Sequence, residues 1–323
     1  MFCLRIAAVA AAAIVLSPFA ASAQTWPSRP VTMLVPLPAG GTADLMAREI
    51  AQALTEEFHQ PFVVENRPGA SGNLAAAAVA RAAPDGATLL FASQAQAAFN
   101  KFMFGNLSYD PTRDFVPVAL VMKSPVALIA GKDAPVANFQ DLIDYAKANP
   151  GKLAVGHAGV GSMAHVAFEM LQDKTGIKLT GVPYKGGAPE VTDPLGGHLP
   201  LASDLLSNFI RLAQEKKVRV LAVATAQRPS VLPDAPTVQE MIHAPFEASA
   251  WFTIMAPAGT SADIVQKINA INNRYLQSAK GKDLLAKQAI EAGGGTPAET
   301  AAFIKSELAK WEPVIKAANI SLN

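Results

Sequence analysis

The chain has 323 residues, half of them hydrophobic and 16% charged, with one cysteine and a formal net charge of +1. A near-neutral balance with no basic stripe among aromatics argues against nucleic acid as a partner. A lone cysteine excludes a disulfide framework, and about 300 residues bury a core without staples and leave room for two domains.

The first predicted element is an export signal over residues 1–23: Arg5 as the charged start, the apolar run 6–16, and Ala21-Ser22-Ala23 as a small-x-small cleavage site. The mature chain then begins near Gln24. Cys3 leaves with the signal, which removes cysteine catalysis and thiolate metal sites. Without Arg5, 26 basic residues face 26 acidic ones. The apolar run is too short to cross a bilayer and nothing later is long enough, so the expected product is soluble and exported.

Val31 to Val35 reads as a buried strand stopped by Pro36 and Pro38. Gly40-Gly41 then supplies backbone angles closed to other residues, and Thr42 is placed to cap a helix whose apolar face runs Ala43, Ala47, Ile50, Leu54, Phe58. Such a turn leaves N–H groups and a positive helix end pointing out of the sheet, a setting for a carboxylate or phosphate. It is also simply how α/β proteins connect strand to helix, and both readings stay open. Asp44, in the first helical turn, complements the helix dipole.

Strand 62–65, loop 66–72, helix 73–82 and strand 88–92 follow, then an irregular stretch 100–117 and the strand-like run 118–122. A second round starts near Lys123: strand 126–130, helix 139–148, strand 152–155, glycine loop 156–161, helix 162–174, strand 178–183, helix 189–196, strand 199–202, helix 207–215 and strand 218–224. Two rounds of the same alternation predict two α/β lobes, each a mainly parallel sheet flanked by helices. Residues 249–255 form an apolar strand able to return the chain to the first lobe, and helices 261–279 and 296–318 close it. The expected lobes are 24–122 with 250–323, and 123–249.

The loop before Ser162 repeats the opening unit: strand, glycine turn, capped helix. Gly159, Gly161 and Ala164 also spell G-x-G-x-x-A, but the next strand is followed by Tyr184 and Lys185 instead of the acidic residue a dinucleotide needs. No cofactor is expected. The sequence lacks G-x-S-x-G and G-x-x-x-x-G-K-[ST] motifs, and His59, His157, His165, His198 and His243 show no metal spacing. His165, one turn after Ser162, either orders the glycine loop or packs. Trp251 reads as lobe packing before ligand shelf, and Lys216-Lys217 with Arg219 as a solvated helix end.

These segments carry a family resemblance: residues 36–44 (Pro-Leu-Pro-Ala-Gly-Gly-Thr-Ala-Asp), 65–73 (Glu-Asn-Arg-Pro-Gly-Ala-Ser-Gly-Asn), 83–86 (Ala-Pro-Asp-Gly), Gly159 to Ser162 with His165, 182–187 (Val-Pro-Tyr-Lys-Gly-Gly), 233–237 (Pro-Asp-Ala-Pro-Thr) and 256–260 (Ala-Pro-Ala-Gly-Thr). In this order over the whole mature chain they resemble the Bug-type solute-binding proteins of tripartite tricarboxylate transporters. The resemblance implies a type II-like, two-lobed periplasmic binding protein fold with two crossover strands, acting as a monomer. It also implies a small organic carboxylate as ligand, and large and small integral-membrane transporter subunits as partners. No catalytic residue is implied. The ligand loops carry over to Leu37, Pro38, Ala39, Gly40, Gly41 and Thr42 with Asp44, and to Val160, Gly161 and Ser162. Ser93, Gln94, Ser203 and Asp204 complete the pocket.

Relatives often have a small polar run with a histidine and then Asn-Pro where this chain has Ser-Gln-Ala-Gln-Ala-Ala-Phe-Asn-Lys at 93–101. Ala97, Ala98 and Phe99 there favour a ligand with an apolar or aromatic body over a citrate-like one. Two rival readings remain: an exported enzyme using Asp44, His165 or Asp204 as acid or base, and a ligand-loaded partner of a membrane sensor kinase.

Overall fold

The computed structural model describes residues 26–184 and 186–322; the expected export signal lies outside them. Ten strands form one continuous curled sheet in the order β2-β1-β3-β9-β4-β7-β5-β6, with β8 and β10 also paired to β4. β1 (Val31–Val35), β2 (Phe62–Asn66) and β3 (Thr88–Ser93) are parallel neighbours in the first lobe. In the second lobe β5 (Ala154–His157) lies parallel between β6 (Thr180–Pro183) and β7 (Leu201–Leu205).

The lobes are joined through β4 (Phe115–Ala130), which the sequence presents as two runs, 118–122 and 126–130. Lys123, Ser124 and Pro125 interrupt the apolar pattern without ending the strand, because extended backbone suits the residue before a proline and the neighbouring ladder tolerates one missing N–H. From Phe115 to Pro125 this strand pairs antiparallel with β9 (Ser249–Pro257), with two register shifts that bend it. From Val126 onward it pairs instead with β7 and with β8 (Arg219–Val223). The return passage is tied at the same point: Val126 N–H donates to the Ala248 carbonyl, Ala248 N–H to Ala224, and Ala224 N–H back to Val126, at 2.9, 3.0 and 2.8 Å. The parallel strands expected in each lobe are therefore joined by an antiparallel crossover pair, making the sheet mixed.

Helices cover both faces. α1 (Thr42–Phe58) and α2 (Asn73–Ala80) belong to the first round. After β3 the chain is helical from Gln94 to Met103, where a loop and an irregular stretch are expected; a π turn at Ala95–Phe99 runs into α3 (Asn100–Met103). α4 (Phe139–Ala148), α5 (Met163–Thr175), α6 (Gly187–Gly196) and α7 (Leu206–Gln214) clothe the second lobe. α8 (Val238–Ile242) is short and carries a Thr237/Glu240 capping box. The helix expected over 261–279 is α9 (Ala262–Gln277), and a further helix that the sequence reading did not place, α10 (Ala279–Lys287), follows it, capped by the Ser278 hydroxyl. A two-residue β10 (Glu291–Ala292) pairs β4, and α11 (Pro297–Ala317) closes the chain.

The main core is continuous across both lobes, with β1, β3 and β9 lined by fully buried Val31, Met33, Leu90, Phe91 and Ile254. Phe91 stacks on Phe252 with ring centroids 5.9 Å apart. Trp251 is buried edge-on to Phe303 and donates its indole N–H to Glu307, so it packs the first lobe. Among the described residues no helix is long and apolar enough to cross a membrane.

Candidate functional site

The first wall is the turn between β1 and α1. Gly40 has φ of +89°, a conformation that favours glycine, whereas Gly41 is extended at φ −85° and ψ 173°. Gly41, not Thr42, is the N-cap residue, and no side chain caps the helix; the N–H groups of Thr42, Ala43 and Asp44 have no acceptor among the described residues. An added Cβ at Gly40 or Gly41 would meet nothing within 4 Å, so the turn opens onto space.

The turn is held from behind. Asp44, 6% exposed, accepts from the Gly40 N–H at 3.0 Å and from Arg48 Nε at 3.1 Å. Arg48 also donates to Asn66 Oδ1, and Asn66 Nδ2 donates to the Leu37 carbonyl. Burial pushes the Asp44 carboxyl up, but the hydrogen bonds from Arg48, Gly40 and Asn66 outweigh it and hold Asp44 below its ordinary value. Its oxygens face the turn's own backbone and Arg48, so Asp44 orders donors here instead of presenting a charge. The 66–73 loop adds a buttress, since a Cβ on Gly72 would come 2.7 Å from Pro36 Cβ. Next to it Ala70 and Ser71 hold left-handed angles, and the Ser71 carbonyl is clasped by Gln96 Nε2 and Asn100 Nδ2 at 2.7 and 3.1 Å.

Ser93 and Gln94 lie at the base, both buried. The Ser93 hydroxyl donates to Gln96 Oε1 at 2.9 Å and accepts from the Ala95 N–H, and Gln94 Oε1 accepts from the Trp251 N–H at 3.3 Å. The apolar-body expectation drawn from Ala97, Ala98 and Phe99 meets a correction. All three are fully buried, and Phe99 packs 5.9 Å from Trp311 in the first-lobe core, because the helical turn after β3 rotates it inward.

The second wall is the glycine loop between β5 and α5. Ser162 caps α5, its hydroxyl accepting from the His165 N–H at 3.1 Å, and His165 Nδ1 accepts from the Gly161 N–H at 3.2 Å. His165 thus orders the loop. Burial, then repulsion from the stacked His157 ring 4.4 Å away, lowers its pKa to about 4, keeping the imidazole neutral and able to accept. The Ser162 N–H donates to the Gly159 carbonyl. Val160 projects outward at 41% exposed. Ser203 donates to the Ala164 carbonyl at 3.2 Å, and Asp204 Oδ2 accepts from Asn208 Nδ2 at 2.6 Å.

The walls meet at two places. Thr42 Oγ1 is 3.5 Å from Ser207 Oγ, which also accepts from Ser124 Oγ at 3.0 Å, joining α1, the crossover strand and α7. A Cβ on Gly161 would come 2.8 Å from Met103 Sδ and 3.0 Å from Leu322 Cδ1. Sequence reading missed Ser124, Ser207, Asn208 and Glu190. Asn208 carries a signal, being one helical turn after Asp204; the serines carry none, since only the crossover brings 124 beside 207. The site thus lies between the carboxyl ends of the parallel strands of two lobes, where open α/β sheets hold ligands.

A family model described as tripartite tricarboxylate transporter family receptor matches residues 46–320. The chain is 36% identical over 296 residues to protein BugT of Bordetella pertussis, covering 91% of each chain. An R. palustris protein solved with adipate is 38% identical with a TM-score of 0.86, over 92% of this chain and 99% of that one. MatC from Rhodopseudomonas palustris, solved with bound malate, is 33% identical with a TM-score of 0.82, over 90% and 100%. This chain belongs to the tripartite tricarboxylate transporter receptor family.

Proposed function

We propose that the protein is an extracytoplasmic solute-binding protein. It captures a small organic carboxylate between its lobes and delivers it, as a monomer, to the large and small membrane subunits of a tripartite transporter. The observation that carries this reading is the open β1–α1 turn. Three helical N–H groups without an acceptor among the described residues and the positive end of a 17-residue helix lie beside the Thr42–Ser207 contact with the second lobe. Each N–H to a charged acceptor contributes about 1.5–3 kcal/mol and the helix end up to about 2, so a few of them reach the roughly 8 kcal/mol of micromolar affinity. Adipate and malate in the two R. palustris relatives support a carboxylate as ligand.

The moving units are residues 24–122 with 250–323, and 123–249, hinged where β4 changes partners. A ligand touching both lobes favours the closed arrangement by its differential contacts. The ligand set is Leu37 to Thr42, Val160 to Ser162, and the Ser93, Gln94, Ser203 and Asp204 positions, with Asp44 and His165 ordering the two loops. Their engagement by Arg48 and by the Gly161 N–H argues against general acid–base work and for binding without turnover. Residues 1–23 direct export to the periplasm.

A thermal-shift screen of the mature chain, unfolded and refolded to strip carried-over solute, tests this against mono-, di- and tricarboxylates and neutral controls. A ligand at a hundredfold its Kd adds about 2.7 kcal/mol and raises the midpoint by several degrees. Silence of every acid while a neutral compound shifts the midpoint would sink the reading, and consumption of the bound acid would sink its non-enzymatic part.

A further inference from the structure

The second lobe holds a feature that a plain dicarboxylate does not explain. Glu190, in the first turn of α6, is 0% exposed, and neither of its carboxyl oxygens has a hydrogen-bond partner. A second buried acid, Asp204 at 2% exposed, acts on it directly and, among the described residues, accepts hydrogen bonds from Asn208 Nδ2 and the Leu205 N–H. Glu190 packs over β5, its Cγ 3.3 Å from where a Cβ on Gly156 would lie, and Asp204 is the penultimate residue of β7. The helix carrying Glu190 begins against Asp204: a Cβ on Gly187 would come 2.5 Å from both Asp204 Oδ2 and Asn208 Nδ2. Tyr184, whose hydroxyl bonds Asp193, also lies beside Glu190. Among the described residues no lysine, arginine or histidine pairs with Glu190 or Asp204. Burial, then the Asp204 charge, raises the Glu190 pKa to about 10, and burial raises Asp204 to about 6, the response of acids lacking a counter-charge.

The acids lie close to the first wall, since Asn208 follows Ser207, the residue that meets Thr42. One lobe therefore offers N–H donors and a positive helix end, and the other offers acceptors that no cation among the described residues pairs. We infer that Glu190 and Asp204 form a second subsite of the cleft that takes a protonated nitrogen, so that the ligand carries a carboxylate at one end and an ammonium at the other. The inference rests on the carboxylate reading above and narrows it. A cation arriving between the two acids supplies a counter-charge that no described residue provides, and it selects against diacids by placing their second carboxylate beside two acids.

Isothermal titration of the refolded mature chain tests it with matched probes: adipate against 5-aminopentanoate, and succinate against 3-aminopropanoate, in which an ammonium replaces one carboxylate on the same carbon chain. The comparison extends to whichever acid the thermal screen returns and its ω-amino analogue. The amino member of a pair is expected to bind at least about tenfold tighter to the wild type. Glu190→Gln and Asp204→Asn are each expected to move the ratio of the two affinities toward the diacid by about tenfold. Deprotonation of Glu190 on binding should also appear as a buffer-dependent enthalpy, which a packing role would not produce. Diacids binding tighter than their amino partners, or a ratio unmoved by either amide, overturns the cation subsite and leaves the carboxylate reading standing. Silence of every acid overturns both.

Discussion

The two strand–glycine–helix units look alike in sequence and differ in what their N–H groups hold. Around α1 the turn opens onto space and the first helical N–H groups have no acceptor among the described residues, with Asp44 and Arg48 bracing it from behind. Around α5 the Gly161 N–H is held by His165, the Ser162 N–H by Gly159, and the loop packs on Met103 and Leu322. A glycine turn before a helix is thus an anion site only where nothing inside the protein has already taken its donors. On the function proposed above, the first unit supplies the free donors and the second closes on the ligand through its outward residue Val160.

The sharpest way to break this contrast is Gly41→Val. Its extended backbone and open surroundings accept the side chain, so the fold should hold while the branched methyls cover the helix end and affinity for the screened acid falls by about a hundredfold or more. Titration calorimetry with a melting curve of the variant checks both halves. Gly161→Ala should do less to binding and more to stability: φ of +80° and the 2.8 Å approach to Met103 Sδ cost about 1–2 kcal/mol together, lowering the midpoint by several degrees. If Gly161→Ala proves the more damaging to affinity, the two loops have the reverse roles.

Glu190→Gln sharpens the same asymmetry without ligand. The Glu190 folded pKa is raised from 4.5 to about 10, so the native state holds a proton that the unfolded chain gives up. That stability is fully present below pH 4.5 and is lost as pH rises toward 10. The amide variant should therefore gain several degrees on the wild type at pH 8–9 and lose the advantage near pH 4, measured by melting curves across that range.

Asp44→Asn acts in the opposite sense of pH. Its folded pKa is lowered, so the carboxylate's contribution is present above pH 3.8 and is lost as pH falls through the folded value. Near neutrality the variant should loosen the turn and weaken binding by about tenfold, and its melting deficit should shrink below pH 3.8. The smallest effect belongs to His165→Ala, which removes one acceptor from the Gly161 N–H and should weaken binding about fivefold. Because His165 stays neutral down to about pH 4, wild-type affinity should be flat between pH 5 and 8 as far as this residue is concerned.

Much of this molecule is readable from local pattern. The period-2 and period-3.6 apolar runs placed β1, α1 and α4 closely, and the glycines, Ser162 and Thr296 marked true helix starts, because each depends on contacts within a few residues. The paired rounds of strand and helix announced two lobes, and the ordered motifs their family. The tertiary structure alone decided three other matters. It joined the two halves of β4 into one strand, since a ladder on both sides outweighs the local break at Pro125. It turned Phe99 away from the cleft onto Trp311, since the π turn that rotates it is set by Gln96 and Asn100 clasping the distant Ser71 carbonyl. It set Glu190 beside Asp204, fourteen residues away, with no cation paired to either among the described residues. Whether a buried charge is neutralised depends on which side chains the fold brings within a few ångströms, and sequence spacing carries no record of that.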